Sequence, residues 1–130
     1  MRAYVQLALA PQPVLHAVKA RALSNRIEPG WQKRAACGDT TDADAWFPDR
    51  SVPQRELADV LAVCEGCRVR RSCLAAGLLG REYGIWGGTT DAERDAALDE
   101  LSPKARTDDV LGRLLGWPAS QVRPKKRGAA

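Results

Sequence analysis

Cys64-Glu65-Gly66-Cys67-Arg68-Val69-Arg70-Arg71-Ser72-Cys73 sets three thiols within ten residues, and a fourth, Cys37, stands alone upstream. The 130-residue chain has no other cysteine, so the spacing C-x26-C-x2-C-x5-C gives every thiol a place in one constellation. Four thiolates converging on one point suit an iron–sulfur cluster or a zinc ion. Two structural disulfides are the rival reading, and they require an oxidising compartment. Met1–Ala10 offers only Arg2 and the short run Val5–Ala10, broken by Gln6 and ended by Pro11 and Pro13. That is too short for a signal-peptide core, and no later segment is long enough to span a bilayer. A cytoplasmic chain is expected, where thiols stay reduced and metal binding outranks disulfides.

Upstream of this run, Ser51-Val52-Pro53-Gln54 has the form of a capping box, and Leu57, Val60, Leu61 and Cys64 follow at helical spacing. Cys64 therefore falls on a buried stripe near a helix end, with Gly66 allowing the turn. A second helix is predicted from about Arg68 to Leu79, with Val69, Cys73 and Ala76 on one face and Arg68, Arg70, Arg71 and Arg81 near it. Gly84-Ile85-Trp86-Gly87-Gly88 then reads as a tight turn with an aromatic at its tip. Thr90-x-x-Glu93 is another capping box, opening a helix to about Leu101, which Pro103 closes. No strand of convincing length is present. The predicted fold class is all-α, a small loop-rich helical bundle around a four-cysteine centre.

Three segments follow from composition. Residues 1–30 contain Pro11, Pro13, Pro29 and Gly30 and are expected to be a mobile leader, although Val14–Leu23 suits a short amphipathic helix. His16, the single histidine, is read there as solvated. Residues 31–101 form the compact part. With one Phe and many small side chains, about 70 residues seldom stabilise themselves by apolar burial alone. A metal centre compensates, so the chain without it is expected to loosen or unfold.

Residues 102–130 are the third segment. In Thr107–Val122, Thr107 can cap a helix striped by Val110, Leu111, Leu114 and Leu115; Gly116 ends it, and Pro118 can start another. The pattern suits either a helix-turn-helix or one amphipathic helix docked on the bundle. The net charge is +4; four of the 20 Lys and Arg lie at Arg123, Lys125, Lys126 and Arg127, and the rest balance the 16 Asp and Glu. Such a cluster neutralises phosphates and binds DNA with a steep salt dependence. Its Arg-Pro and Arg-Gly steps are like minor-groove arms, but Lys125-Lys126 separates them.

Only Cys64–Cys67 forms the tight knuckle usual in structural zinc sites, while Cys37 arrives from afar and Cys73 lies on a helix. A cubane cluster spreads its ligated corners more widely, and the nearby arginines offset its negative charge. The lone cysteine in Ala35-Ala36-Cys37, the run Cys64, Cys67, Val69, Cys73 and the turn Gly84–Gly88, together with Trp31 and Trp46-Phe47-Pro48, resemble the WhiB-like family of actinobacteria and their phages. The resemblance covers about residues 31–98. It implies a [4Fe–4S] cluster on Cys37, Cys64, Cys67 and Cys73 inside a helical bundle, reactive towards oxygen and nitric oxide, with disulfides forming once the cluster is lost. It also implies transcription regulation through the C-terminal region of the primary sigma factor and through promoter DNA. By position, Trp31, Trp46, Phe47, Gly84, Ile85, Trp86, Gly87 and Gly88 would meet the sigma factor, and the basic tail would meet DNA.

The residues point the same way independently, since a large ring on a glycine turn is hard to bury in its own domain and suits an interface anchor. The rival is Trp86 folding back over the cluster; Trp31 and Trp46 are expected to sit deeper than Trp86. A thiol–disulfide oxidoreductase using Cys64 and Cys67 and a zinc-stabilised adaptor are the competing functions. The first lacks the βαβ context of such motifs, and a non-enzymatic regulator is the expectation.

Overall fold

A computed structural model of the chain describes residues 15–39, 43–48, 54–101 and 105–123. Six α-helices are present among them: α1 (Ala17–Ser24), α2 (Gln54–Glu65), α3 (Arg70–Leu79), α4 (Asp91–Leu101), α5 (Thr107–Leu115) and α6 (Ala119–Val122). Short 3-10 turns at Trp31–Arg34, Ala36–Asp39 and Ala43–Trp46 connect α1 to α2. The β pairing among the described residues is an isolated bridge between Trp86 and Thr89. The fold is all-α and loop-rich, as the sequence predicts.

Helix α3 is the shared wall of the molecule. Leu74, Ala75 and Leu78 pack with Leu23 of α1, Ala97, Leu98 and Leu101 of α4, Val110, Leu111 and Leu115 of α5, and Val122 of α6. Each fully buried leucine contributes about 1.5–3 kcal/mol. Cys73, one residue before Leu74, turns instead to the cysteine cavity described below. Among the described residues, neither α2 nor the Cys37 segment contributes to this apolar cluster. The core is thus richer than composition suggests, and it stands beside the cysteine centre rather than around it.

The core also takes residues from all three compositional segments. The described part of the expected leader is packed: Leu23 is fully buried, and Arg26 forms a paired-nitrogen salt bridge with Asp108 of α5 at 2.8 and 2.9 Å. The reason is tertiary, since the groove between α3 and α5 offers Leu23 an apolar seat that no local pattern reveals. Residues 1–14 lie outside the described part.

Local signals specify several helix ends. The Thr90 box forms, with Thr90 N–H donating to Glu93 Oε1 at 3.0 Å and Glu93 N–H to Thr90 Oγ1 at 3.3 Å. The Ser51 box lies outside the described residues. Thr107 is the first residue of α5 rather than its cap, and the extended Arg106 holds the cap position. Gly116 ends α5 in the left-handed conformation, and Pro118 precedes α6, as expected. α6 spans four residues, about 6 Å. Its Val122 is fully buried, so this short helix is packed on the bundle through that residue. At the end of α3, Arg81 takes a positive φ of 50°, and Glu82 N–H reaches back to the Gly77 carbonyl at 3.0 Å. This is the Schellman closure, made here without glycine at its left-handed position.

Candidate metal centre

Each cysteine reaches the site from a different local structure. Cys37 lies in the 3-10 turn Ala36–Asp39, Cys64 in the last turn of α2, Cys67 in the link to α3, and Cys73 within α3. All four line one cavity, with Ala35, Trp46, Val63, Arg70, Ile85 and Gly87 completing its wall. Cys64 is buried, as its place on the apolar stripe predicts, and Cys37 is the most open to solvent. Among the described residues, no disulfide joins the cysteines. No three His, Cys, Asp or Glu side chains among these residues stand close enough to hold a single metal ion. Four cysteines lining one apolar cavity fit a thiolate-bound centre, and a cubane cluster is among the groups such a set can hold.

The backbone aims donors at the sulfurs. The N–H of Gly87 donates to Cys73 and that of Gly88 to Cys64, while Ala36 N–H lies 3.5 Å from the Cys67 sulfur. Gly87 and Gly88 are the central pair of a two-residue turn closed by Trp86 N–H to Thr89 O at 3.1 Å and by its return bond at 3.0 Å. Both have positive φ, 61° and 78°, which marks a type I′ turn and accounts for the glycine pair. The tip of the turn is therefore Gly87-Gly88, facing the sulfurs, and Trp86 stands at its base. The expectation of an aromatic tip is corrected.

Burial dominates the thiols. It pushes Cys73 up to about 12, against the Gly87 amide, which lowers it. Burial likewise raises Cys64, opposed by the Gly88 amide, and raises Cys37, helped by the nearby Cys67. Occupying the site with a thiolate-bound group must therefore displace protons. Of the four arginines expected near the centre, Arg70 alone lines the cavity. Arg71 turns to Glu28 and Val122, Arg68 is exposed, and Arg81 lies beyond the end of α3.

The turn is held from α4 by Arg94, which sequence reasoning missed. Its guanidinium donates to the carbonyls of Thr89 at 2.7 Å, Glu82 at 2.9 Å and Gly84 at 2.6 Å, and to Asp91 Oδ1 at 2.8 Å. Only 2 % of Arg94 is exposed. Burial lowers its pKa, and the Asp91 carboxylate opposes that.

The aromatic residues divide by position. Trp31 is buried, and its ring meets Trp86 edge-on at 6.1 Å. Trp86 is half-buried and donates its Nε1–H to the Tyr83 carbonyl at 2.9 Å. Trp86 is absent from the cavity wall, so the cover over the sulfurs comes from Trp46 and Ile85. Ile85 N–H donates to the Trp46 carbonyl at 2.7 Å, tying the glycine turn to the Trp46-Phe47 segment. Phe47 and Tyr83 are 63 % and 77 % exposed. Tyr83 was not singled out in the sequence, where a lone tyrosine beside a glycine carries no signal. Arg123 is described and exposed, 3.4 Å from Asp108, whereas Lys125, Lys126 and Arg127 lie outside the described residues.

Comparison with known proteins bears on this constellation. The family model "Transcription factor WhiB" matches residues 31–97. The chain is 43% identical over 68 residues to the transcriptional regulator WhiB2 of Mycolicibacterium smegmatis, covering 52% of this chain and 50% of that protein. It is also 43% identical over 68 residues to WhiB of Streptomyces coelicolor, covering 52% and 74% of the two chains. With WhiB4 of Mycobacterium tuberculosis it shares 37% identity over 103 residues, covering 78% and 79%. The aligned part thus spans about half the length of the M. smegmatis relative. No solved structure matches the chain. With four cysteines on one cavity and a matching family model over more than half its length, the chain belongs to the WhiB family.

Proposed function

We propose that this chain is a redox- and nitric-oxide-responsive transcriptional regulator. In this reading Cys37, Cys64, Cys67 and Cys73 hold a [4Fe–4S] cluster, an aromatic face binds the primary sigma factor, and the basic end binds promoter DNA. One observation carries it. The Gly84–Gly88 turn touches two cavity sulfurs with its amides, while Trp86 at its base packs on Trp31 outside the cavity. A bound cluster supplies the reactivity towards oxygen and nitric oxide that the family implies. The chain supplies the four thiolates, an apolar cover from Trp46 and Ile85, and N–H donors to the sulfurs. Loss of ligation frees the Cys37 segment from α2 and α3. The Ile85–Trp46 bond and the Trp31–Trp86 contact then lose their common support, and the face formed by Trp31, Trp46, Phe47 and Trp86 changes shape.

Arg123, Lys125, Lys126 and Arg127 give the chain a phosphate-binding end whose affinity falls with salt. The oxidoreductase alternative is disfavoured on position. Cys64 sits at the C-terminal end of α2, where the helix dipole opposes a thiolate, and burial raises its pKa further. The zinc adaptor is disfavoured because only Cys64–Cys67 forms the tight knuckle usual in structural zinc sites.

The test is anaerobic purification with visible absorption and iron, sulfide and zinc analysis, followed by binding to the C-terminal region of the sigma factor. About four iron and four sulfide per chain are expected. Trp86→Ala should keep the absorbance and lose at least about tenfold in sigma affinity, as befits a tryptophan anchor. Iron-free yet fully folded protein, or unchanged binding by the variant, would overturn the proposal.

A further inference from the structure

Two adjacent arginines at the head of α3 reach both helices of the C-terminal segment. Arg70 Nε donates to the Gly87 carbonyl at 2.9 Å, Nη1 to the Leu115 carbonyl at 3.0 Å, and Nη2 to that of Leu114 at 3.5 Å. Arg71 Nη1 donates to the Val122 carbonyl at 3.1 Å, and its Nη2 pairs with Glu28 at 3.2 Å. Leu115 ends α5 and Val122 ends α6. The last carbonyls of a helix lack intrahelical partners and carry the negative end of its dipole. Both C-terminal helices are thus closed by a guanidinium from α3.

The backbone that carries these guanidinium groups lies between two cavity cysteines. Arg70 follows Cys67 by three residues and precedes Cys73 by three, and it lines the cavity itself. Its other partner, Gly87, donates its N–H to Cys73. A change in how Cys67 and Cys73 are held therefore moves the arginines' own backbone and one of their acceptors together. The opposite end of α5 is fixed by the Arg26–Asp108 salt bridge and by Lys19 donating to the Ala105 carbonyl at 2.5 Å, and the exposed Arg123 lies 3.4 Å from the same Asp108. The part of the segment held by Arg70 and Arg71 is its end, residues 114–122.

We propose that Arg70 and Arg71 are positioning residues that couple the state of the cysteine cavity to the ends of α5 and α6. The inference rests on the proposed function for its signal, but its geometry does not depend on which group fills the cavity.

Hydrogen–deuterium exchange of the full chain tests it without DNA. The peptide covering 112–123 is compared between anaerobically purified, cluster-loaded protein and the same protein stripped by chelator under reducing conditions. In the wild type its exchange should quicken about tenfold on stripping, while the peptide covering 17–26 changes little. In Arg70→Gln/Arg71→Gln the 112–123 peptide should already be fast in the loaded protein and change less than about twofold on stripping. Far-UV circular dichroism should be retained, and the exchange of all variants is compared at matched iron content. Arg71→Gln alone provides a milder variant and should show an intermediate ratio. Equal exchange in the two wild-type states, a wild-type ratio in the double variant, or equal quickening of the 17–26 peptide would each overturn the coupling. Iron content in the same samples reports on the cofactor separately. If it is absent, reduced and diamide-oxidised chains replace the two states, with the same tenfold difference expected and its absence equally fatal.

Discussion

Replacing Arg94 by Met removes the clamp on the glycine turn while keeping most of the side chain's volume. Two of its carbonyl acceptors, Thr89 and Gly84, are bonded at buried positions, and the third, Glu82, is partly accessible. A buried acceptor left without a donor costs about 1–3 kcal/mol, and water can replace the donor at Glu82. The Thr89 carbonyl keeps the Trp86 N–H at 3.1 Å, so Gly84 is the acceptor left stranded, and the loss is about 1–3 kcal/mol. Taking about 2 kcal/mol and a urea m-value of about 1–3 kcal/mol/M, the midpoint should fall by roughly 0.7–2 M. Anaerobic urea titration at matched iron content, followed by tryptophan fluorescence, reads this directly. The near-ultraviolet dichroism of the Trp31–Trp86 pair should weaken in the same variant. Arg94→Lys restores a charge but not the planar fork that spans Thr89, Glu82 and Gly84, so it should recover less than half of the loss. A midpoint shift under about 0.3 M for Arg94→Met would refute the assignment of Arg94 as the support of the turn.

Three further perturbations probe other parts of the molecule. Arg81→Gly relieves the positive φ at the end of α3 and should raise stability by about 1 kcal/mol, measured as a higher urea midpoint with unchanged slope. Gly87→Ala places a Cβ 2.6 Å from that of Leu74, at a φ of 61°, and should cost at least about 2 kcal/mol and deplete bound iron. In the cluster-free chain, iodoacetamide should label Cys73 well after Cys37, because burial pushes the Cys73 thiol up to about 12 and Cys37 is exposed. Thiolate is the reactive form, so labelling should quicken as pH rises from 7 to 9 and stay slower than in denatured protein throughout. The sign for stability follows: the proton is held more tightly in the folded state, so the Cys73 contribution is complete below the unfolded value near 9 and is lost as pH rises towards 12. Equal labelling of Cys73 and Cys37 would contradict this.

Features encoded within one turn of chain were legible in the sequence. The apolar spacing Leu57, Val60, Leu61, Cys64 predicted a buried cysteine at a helix end, and the Thr90–Glu93 pair specified the start of α4. Features that depend on distant partners were not. Arg94 reads as an ordinary helix-face charge until its carbonyl acceptors are seen, and the partners of Arg70 and Arg71 lie 45 and 51 residues away. Helix α1 is too short to stand alone and owes its order to a seat made by α3 and α5. The orientation of the Gly87 and Gly88 amides is a backbone property, so the sequence marked the turn without revealing that its tip faces the sulfurs.

The salt bridge between Arg26 and Asp108 joins two residues that both lie outside the family-matched stretch 31–97. The stretch matched by the family model is therefore smaller than what folds. A fragment trimmed to that stretch would leave Leu74, Leu78 and Ala97 facing water, their partners on α1, α5 and α6 cut away. Grafting the cysteine module of this protein onto another regulator would consequently require both flanks to travel with it.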